Sequence, residues 1–199
     1  MAAISINLDD SGNAAGAPVP FANPPDGTIG GGDAAGDTLT SIDGIIGGQG
    51  NDILVGNSSA NWLFGSGGGD TLNGEDGDDT IGGGLGADTR TGGGGADVFV
   101  YSSVADSPTP AGADTIMDFA SGTGELIDLH LIDASSARPG NQEFIFIDAA
   151  TPATAANSIC WSQNGVDTYI HADVNGDTIA DLVIRLAGLH TLTSADFVV

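Results

Sequence analysis

From residue 38 to residue 100 the chain divides into consecutive blocks of nine without a gap: TLTSIDGII, GGQGNDILV, GNSSANWLF, GSGGGDTLN, GEDGDDTIG, GGLGADTRT and GGGGADVFV. The sixth place holds Asp43, Asp52, Asn61, Asp70, Asp79, Asp88 and Asp97. The eighth holds Ile45, Leu54, Leu63, Leu72, Ile81, Arg90 and Phe99, apolar in all but one block. Glycine opens every block from Gly47 onward and fills the fourth place in most of them. A glycine-rich linker would have neither the acid phase nor the apolar phase, so the text describes a repeated structural unit. Each unit needs a tight turn, which glycines at places one, two and four permit by tolerating positive φ and by letting carbonyl oxygens point into the turn with no Cβ in the way. The remaining three residues make a minimal strand whose central side chain faces inward.

Charge narrows what such a repeat can serve. Three arginines and no lysine stand against 27 acids, a formal net charge of -24. That surface disfavours nucleic acid and anionic lipid and favours a divalent cation. A strongly acidic chain with few aromatics often stays disordered, but 40% hydrophobic residues oppose that reading for the whole chain. Cys160 is alone, so it forms no intrachain disulfide and is expected to be a small buried hydrophobe. The start, MAAISINLDDSGN, has neither a basic end nor an apolar run, and no segment reaches the roughly 18 apolar residues of a membrane span. No N-terminal signal peptide and no stable membrane insertion are expected.

The nine-residue pattern resembles the G-G-x-G-x-D-x-U-x repeat of the RTX family, and so implies its fold, an all-β calcium-binding parallel β-roll. Calcium takes six to eight hard oxygen ligands in loose geometry, which turn carbonyls and an aspartate can supply. Several Ca2+ ions are therefore the expected cofactor. The resemblance assigns to metal Gly47, Gly48, Gly50 and Asp52; Gly65, Gly67, Gly68 and Asp70; Gly74, Gly77 and Asp79; Gly83, Gly84, Gly86 and Asp88; and Gly92, Gly93, Gly95 and Asp97. Asp43 and Asn61 join them less firmly. Two repeats make one coil in this family, so stacked positions lie 18 residues apart. One column then holds Asp52, Asp70 and Asp88, and the other Asp43, Asn61, Asp79 and Asp97. The strongest sites are expected at Asp52 to Asp70, Asp70 to Asp88, and Asp79 to Asp97, with weaker ones beside GNSSAN.

Adjacent rungs of a parallel sheet lie about 4.8 Å apart. Two bare carboxylates at that spacing repel by about 3.5 kcal/mol at an effective dielectric of 20, while one buried Leu or Ile returns about 1.5–3 kcal/mol. The roll is thus expected to be unfolded without calcium and to assemble with it. Asp106 keeps the phase without glycines and is expected either to cap the stack or to have no part in it. Arg90 breaks the inward column. It either turns outward at a frayed edge, pairs with an inward carboxylate of the following segment, or serves a function of its own.

After Phe99 the phase ends, and DTIMDF, LIDLHLID, EFIFID, SICWS, DTYIHAD and DLVIRLAG read as short antiparallel or mixed strands, packed as a β-sandwich continuous with the roll. Together with GADVFVYSSVADS and the terminal DFVV, they resemble the C-terminal domain of serralysin-type secreted metalloproteases over residues 38–199. That resemblance implies a domain that supports folding and bacterial type I export of an enzyme, fused or separate. It also implies a secretion signal at the extreme C-terminus, here Asp196, Phe197, Val198 and Val199. The family usually carries a lysine near LIDL, where this chain has Glu125. The expected division is a flexible arm or linker over 1–30, in which ISINL can add an edge strand, a roll over 31–105 and a sandwich part over 106–199.

In DVNGDTIAD, Asp173, Asn175, Asp177 and Asp181 alternate about a turn glycine, either as a further calcium loop or as a plain hairpin turn. Gly176 stands fourth and no glutamate twelfth, so the loop is not an EF-hand. The zinc-protease motif H-E-x-x-H is absent, and His130, His171 and His190 share no ligand spacing, so no catalytic role is expected. Two functions remain. One is a calcium-dependent, secreted folding and export module engaged by the type I machinery. The other is an extracellular recognition protein, such as an adhesin, a glycan binder or an ice binder. An ice binder needs regular outward rows of Thr or Asn, and the seventh place offers only one short row, Thr71, Thr80 and Thr89.

Overall fold

A computed structural model describes residues 6–7, 44–108, 111–147 and 157–199. The repeats form β2 (Gly44–Ile46), β3 (Ile53–Val55), β4 (Trp62–Gly67), β5 (Thr71–Asp76), β6 (Thr80–Leu85), β7 (Thr89–Gly94) and β8 (Val98–Val100). Consecutive strands go alternately to two facing sheets, because nine residues carry the chain through half a coil. Pairing is parallel at an 18-residue step, as in Leu63 opposite Ile81 and Leu72 opposite Arg90. Ile6–Asn7 forms β1, parallel to Ile45–Ile46 at the edge of one sheet. Asp43 and residues 8–43, most of the expected arm, lie outside the described residues.

The later strands extend these same two sheets. β10 (Leu126–Asp128) adds to β8, and β15 (Phe197–Val198) adds to β10, both parallel. On the other sheet β9 (Asp114–Ile116) follows β7, and β14 (Leu182–Leu186) follows β9. β13 (Thr168–Asp173) and β12 (Ser158–Gln163) then turn antiparallel, with β11 (Ile145–Phe146) as the last edge. The expected sandwich continuous with the roll is therefore one pair of sheets from end to end. Leu54, Leu63, Leu72, Ile81, Phe99, Ile116, Ile127 and Ile184 are buried between the sheets. At the far end Phe146 of one sheet meets Phe197 of the other with ring centroids 5.3 Å apart. Cys160 is buried and unbridged. Among the described residues no helix is long and apolar enough to cross a membrane.

Two local expectations need correction. β4 to β7 each run six residues instead of three, because pairing continues past the strand centre into the turn, as at Ser66 opposite Gly84. Positive φ falls on the second and fourth places (Ser66, Glu75, Gly84, Gly93; Gly68, Gly77, Gly86, Gly95) and not on the first. The first place is glycine for a different reason, which belongs to the site.

Candidate metal centre

The aspartates stack as the 18-residue step requires. In one column the Asp52 N–H donates to Asp70 Oδ1 at 2.8 Å and the Asp70 N–H to Asp88 Oδ1 at 2.8 Å. In the other, the Asn61 N–H donates to Asp79 Oδ1 at 2.7 Å and the Asp79 N–H to Asp97 Oδ1 at 2.9 Å. Each rung thus gains a charge-assisted hydrogen bond, worth about 1.5–3 kcal/mol, that the simple repulsion argument omitted. The two terms nearly balance, and the other carboxylate oxygen decides the sign.

That oxygen is stranded. Asp70, Asp79, Asp88 and Asp97 each bury an Oδ2 with no hydrogen-bond partner, although a buried charged oxygen left unpaired is strongly unfavourable. Burial accordingly pushes Asp70 up to about 7 and Asp79 up to about 6, and raises Asp88 and Asp97. Each stranded oxygen points toward the first-place glycine of its own block. A Cβ at Gly65 or Gly74 would strike the carboxylate and would also lie 2.6 Å from the carbonyl oxygen of Gly83 or Gly92 on the next coil. First-place glycines therefore leave open a cradle lined by one carboxylate oxygen and a backbone carbonyl. The fourth-place carbonyls of Gly50, Gly68 and Gly77 lie against Gly68, Gly86 and Gly95. Such hard oxygen donors suit calcium. Among the described residues no three acids, cysteines or histidines converge on one point.

The first coils differ. Asp52 Oδ2 accepts the Gly48 N–H at 2.7 Å, and the Asn61 side-chain oxygen, which carries no charge, accepts that of Asn57 at 2.7 Å.

Both columns continue past the repeats, which sequence reading missed. The Asp88 N–H donates to Asp114 Oδ1 at 2.9 Å, 26 residues on. The Leu126 N–H donates to the Asp97 carbonyl at 2.8 Å, which puts Glu125 at the sixth place of the next coil. Asp118 takes the N–H groups of Gly92 and Gly93, each at 2.9 Å. A signal was present: Asp114-Thr115 repeats the Asp-Thr pair at Asp70, Asp79 and Asp88, and with Ile116 the Asp79-Thr80-Ile81 triplet, without their glycines.

Arg90 points inward and is fully buried, so its outward alternative is overturned. Its guanidinium donates to Asp114 Oδ2 at 2.9 Å and to the Tyr101 hydroxyl, and lies 4.3 Å from the Tyr101 ring centroid. Burial pushes Asp114 up to about 7 against the pull of that guanidinium. Asp106 is absorbed by a short turn, taking the Ser102 and Ser103 N–H groups.

In the loop between β13 and β14, Asp173 accepts from the N–H groups of Asn175, Gly176 and Thr178, Asp177 from Ile179, and Asp181 from Val174. Its oxygens are turned toward its own backbone. The histidines do not meet: His130 contacts Asp128, His171 contacts Ser162 and His190 contacts the Ala187 carbonyl. Burial lowers His171. Asp196 caps the turn before β15 by accepting the Thr193 N–H at 2.7 Å, Phe197 is buried, and Val198 is partly exposed.

Residues 31–199 match the family model described as Peptidase M10 serralysin C terminal. The chain belongs to that family. The serralysin C-terminal chain is also similar to two solved modules of the Azotobacter vinelandii mannuronan C5-epimerase. The AlgE6R2 subunit is 26% identical with a TM-score of 0.57, covering 77% of this chain and 91% of its own. The AlgE6R3 subunit is 27% identical with a TM-score of 0.54, covering 75% and 78%. Among curated protein sequences, none matches the chain. This serralysin C-terminal chain is a calcium-binding repeat module of the RTX type, and its family model describes the C-terminal part of serralysin.

Proposed function

We propose that this chain is a non-catalytic module that folds on calcium outside the cell and supports type I secretion and folding of an exported protein. The supporting observation is the set of four buried, unpartnered Oδ2 atoms over first-place glycines. Asp70, Asp79, Asp88 and Asp97, with the turn carbonyls, would hold the ions. A bound divalent cation supplies the positive charge that lets stacked carboxylates stay ionised inside the fold. Low calcium within a cell then leaves the chain unfolded for export, and higher calcium outside drives folding. Asp196 to Val199 carry the export signal in this reading. Far-UV circular dichroism titrated with calcium tests the folding step: a gain of β signal on calcium addition supports it, and an unchanged folded spectrum in excess chelator refutes it.

A second reading, an extracellular recognition surface, draws on one observation. The expected row of Thr71, Thr80 and Thr89 is split, with Thr80 on the other sheet, and Thr71, Thr89 and Thr115, with Asn73 and Thr91 beside them, form a polar patch on one sheet. A glycan array and an ice-shaping assay on the calcium-loaded protein separate this reading from the first.

A further inference from the structure

The pair Asn-Gly occurs three times, at Asn73-Gly74, Asn164-Gly165 and Asn175-Gly176. In such a pair no side chain hinders the approach of the glycine nitrogen to the asparagine carboxamide. The structure treats the three differently. Gly74 lies inside β5, where pairing with β7 fixes its backbone, and the Asn73 carboxamide donates to the Glu75 carboxylate. The Gly176 N–H donates to Asp173 Oδ1 at 2.6 Å, while the Asn175 carboxamide accepts from Asp177 and donates to Asp181. The turn between β12 and β13 has neither restraint. Asn164, Gly165 and Val166 are exposed, and Gly165 has a φ of +90° with no atom within 4 Å of where a Cβ would stand. Among the described residues nothing accepts the Gly165 N–H. Asn164 Oδ1 accepts the Val166 N–H at 2.9 Å and the Asp167 N–H at 2.8 Å, which folds its carboxamide back over the Gly165 peptide. Its Nδ2 faces the Tyr169 hydroxyl at 3.4 Å.

We propose that Asn164 is a self-modification site, where the folded turn promotes deamidation of its own carboxamide with water as the only co-reactant. The Gly165 nitrogen forms a bond to Asn164 Cγ as its proton passes to solvent hydroxide, and negative charge moves onto Oδ1. Two N–H groups already point at that oxygen, so they stabilise the charge without reorganising. Collapse of the adduct breaks the Cγ–Nδ2 bond, and Nδ2 leaves as ammonia with a proton from water. Water then opens the cyclic imide at one carbonyl or the other, leaving an aspartyl or an isoaspartyl residue in place of Asn164; nothing is oxidised or reduced. An aspartyl product keeps both N–H bonds. An isoaspartyl product adds a carbon to the backbone and displaces the Asn164 N–H from the Asp167 carbonyl, 3.2 Å away, that closes the hairpin. Either product sets a new carboxylate near Asp167, the partner of Arg185.

The test follows the three asparagines over time in the full chain, by mass spectrometry of proteolytic peptides after incubation in mildly alkaline buffer, folded in calcium and, in parallel, unfolded in urea with chelator. In the folded protein Asn164 is expected to convert severalfold faster than Asn73 and Asn175, and no slower than in the unfolded chain. Folding should slow the other two. Val166→Pro removes one of the two N–H donors, leaves the Asn-Gly pair intact and lies at an exposed position. It is expected to slow Asn164 severalfold in the folded protein and to leave its rate in urea unchanged. Slower conversion of Asn164 in the folded wild type than in urea overturns the proposal, and so does a folded Val166→Pro protein that converts as fast as wild type. Should Val166→Pro fail to fold, the comparison of folded with unfolded wild type decides. These outcomes are independent of the calcium sites.

Discussion

Replacing Arg90 by leucine restores the apolar eighth place of the repeat, so a consensus argument predicts a stabilised protein. The structure predicts the opposite. Arg90 and Asp114 are both fully buried, and their contact is 2.9 Å. Removing one partner of a buried pair costs about 3–5 kcal/mol, because the other charge is left without compensation. Burying a leucine in its place returns about 1.5–3 kcal/mol. The net loss is about 2 kcal/mol, or roughly 4–8 °C for a domain of this size. Asp114→Asn alone also destabilises, since it strands the guanidinium. The double variant Arg90→Leu/Asp114→Asn keeps an oxygen for the Asp88 N–H and removes both charges, so it should recover most of the loss. Thermal and urea unfolding of the four proteins in saturating calcium close this cycle. An Arg90→Leu protein as stable as wild type, or a double variant no better than either single one, would refute the reasoning.

Gly74→Ala places a Cβ against Asp79 Oδ2 and 2.6 Å from the Gly92 carbonyl oxygen; a loss of about 1–3 kcal/mol and weaker calcium binding are expected by calorimetry. Gly44→Ala, whose Cβ comes no nearer than 3.5 Å to Trp62, should be close to neutral in the same measurement. In chelator, pH acts against the usual acid denaturation. Burial raises Asp70 to about 7 and Asp79 to about 6, so the folded state binds more protons than the unfolded chain. That contribution is complete below about pH 4 and is lost as pH rises through 6–7. Metal-free protein, unfolded at pH 8, should therefore gain β signal as pH falls to 5, while calcium affinity rises from pH 5 to pH 8; no gain of β signal on acidification in chelator counts against it. Val198→Ser alters the chain end at an exposed position while leaving buried Phe197, core-packed Val199 and capping Asp196 in place. If the export signal lies there, secretion should drop severalfold with melting unchanged, and undiminished export would remove the assignment.

The repeats were legible because one period fixes two things at once. Phase places Leu54, Leu72 and their counterparts inward, and it stacks Asp70 on Asp88. The chain after Phe99 was less legible because the coils lengthen. From Asp88 to Asp114 takes 26 residues and from Asp97 to Glu125 takes 28, so a search at a fixed step of 18 finds neither. For the first-place glycines the sequence argument held for the carbonyls, which need a position without a Cβ, and failed for positive φ and for the carboxylate. Their conformation is ordinary, and the constraint comes from a carboxylate and a carbonyl on the next coil, a contact that no local rule about φ reports.

Arg90 and Glu125 give the two columns opposite endings. Column one closes on a cation supplied by the chain: Asp114 Oδ2 is satisfied by Arg90, whereas Oδ2 of Asp70 and Asp88 is not satisfied by any side chain. That rank is neutralised whether or not calcium is present. Column two meets two further acids, Asp118 and Glu125, in place of a base, so among the described residues no cationic side chain neutralises its last coil. In falling calcium the two sides should loosen unequally, with the Asp97 turn opening before the Asp114 strand. Hydrogen exchange during a chelator titration reads this directly. The N–H groups of Asp79 and Leu126 should lose protection at a higher free calcium than those of Asp88 and Thr115, and simultaneous loss would show that the guanidinium does not stand in for an ion.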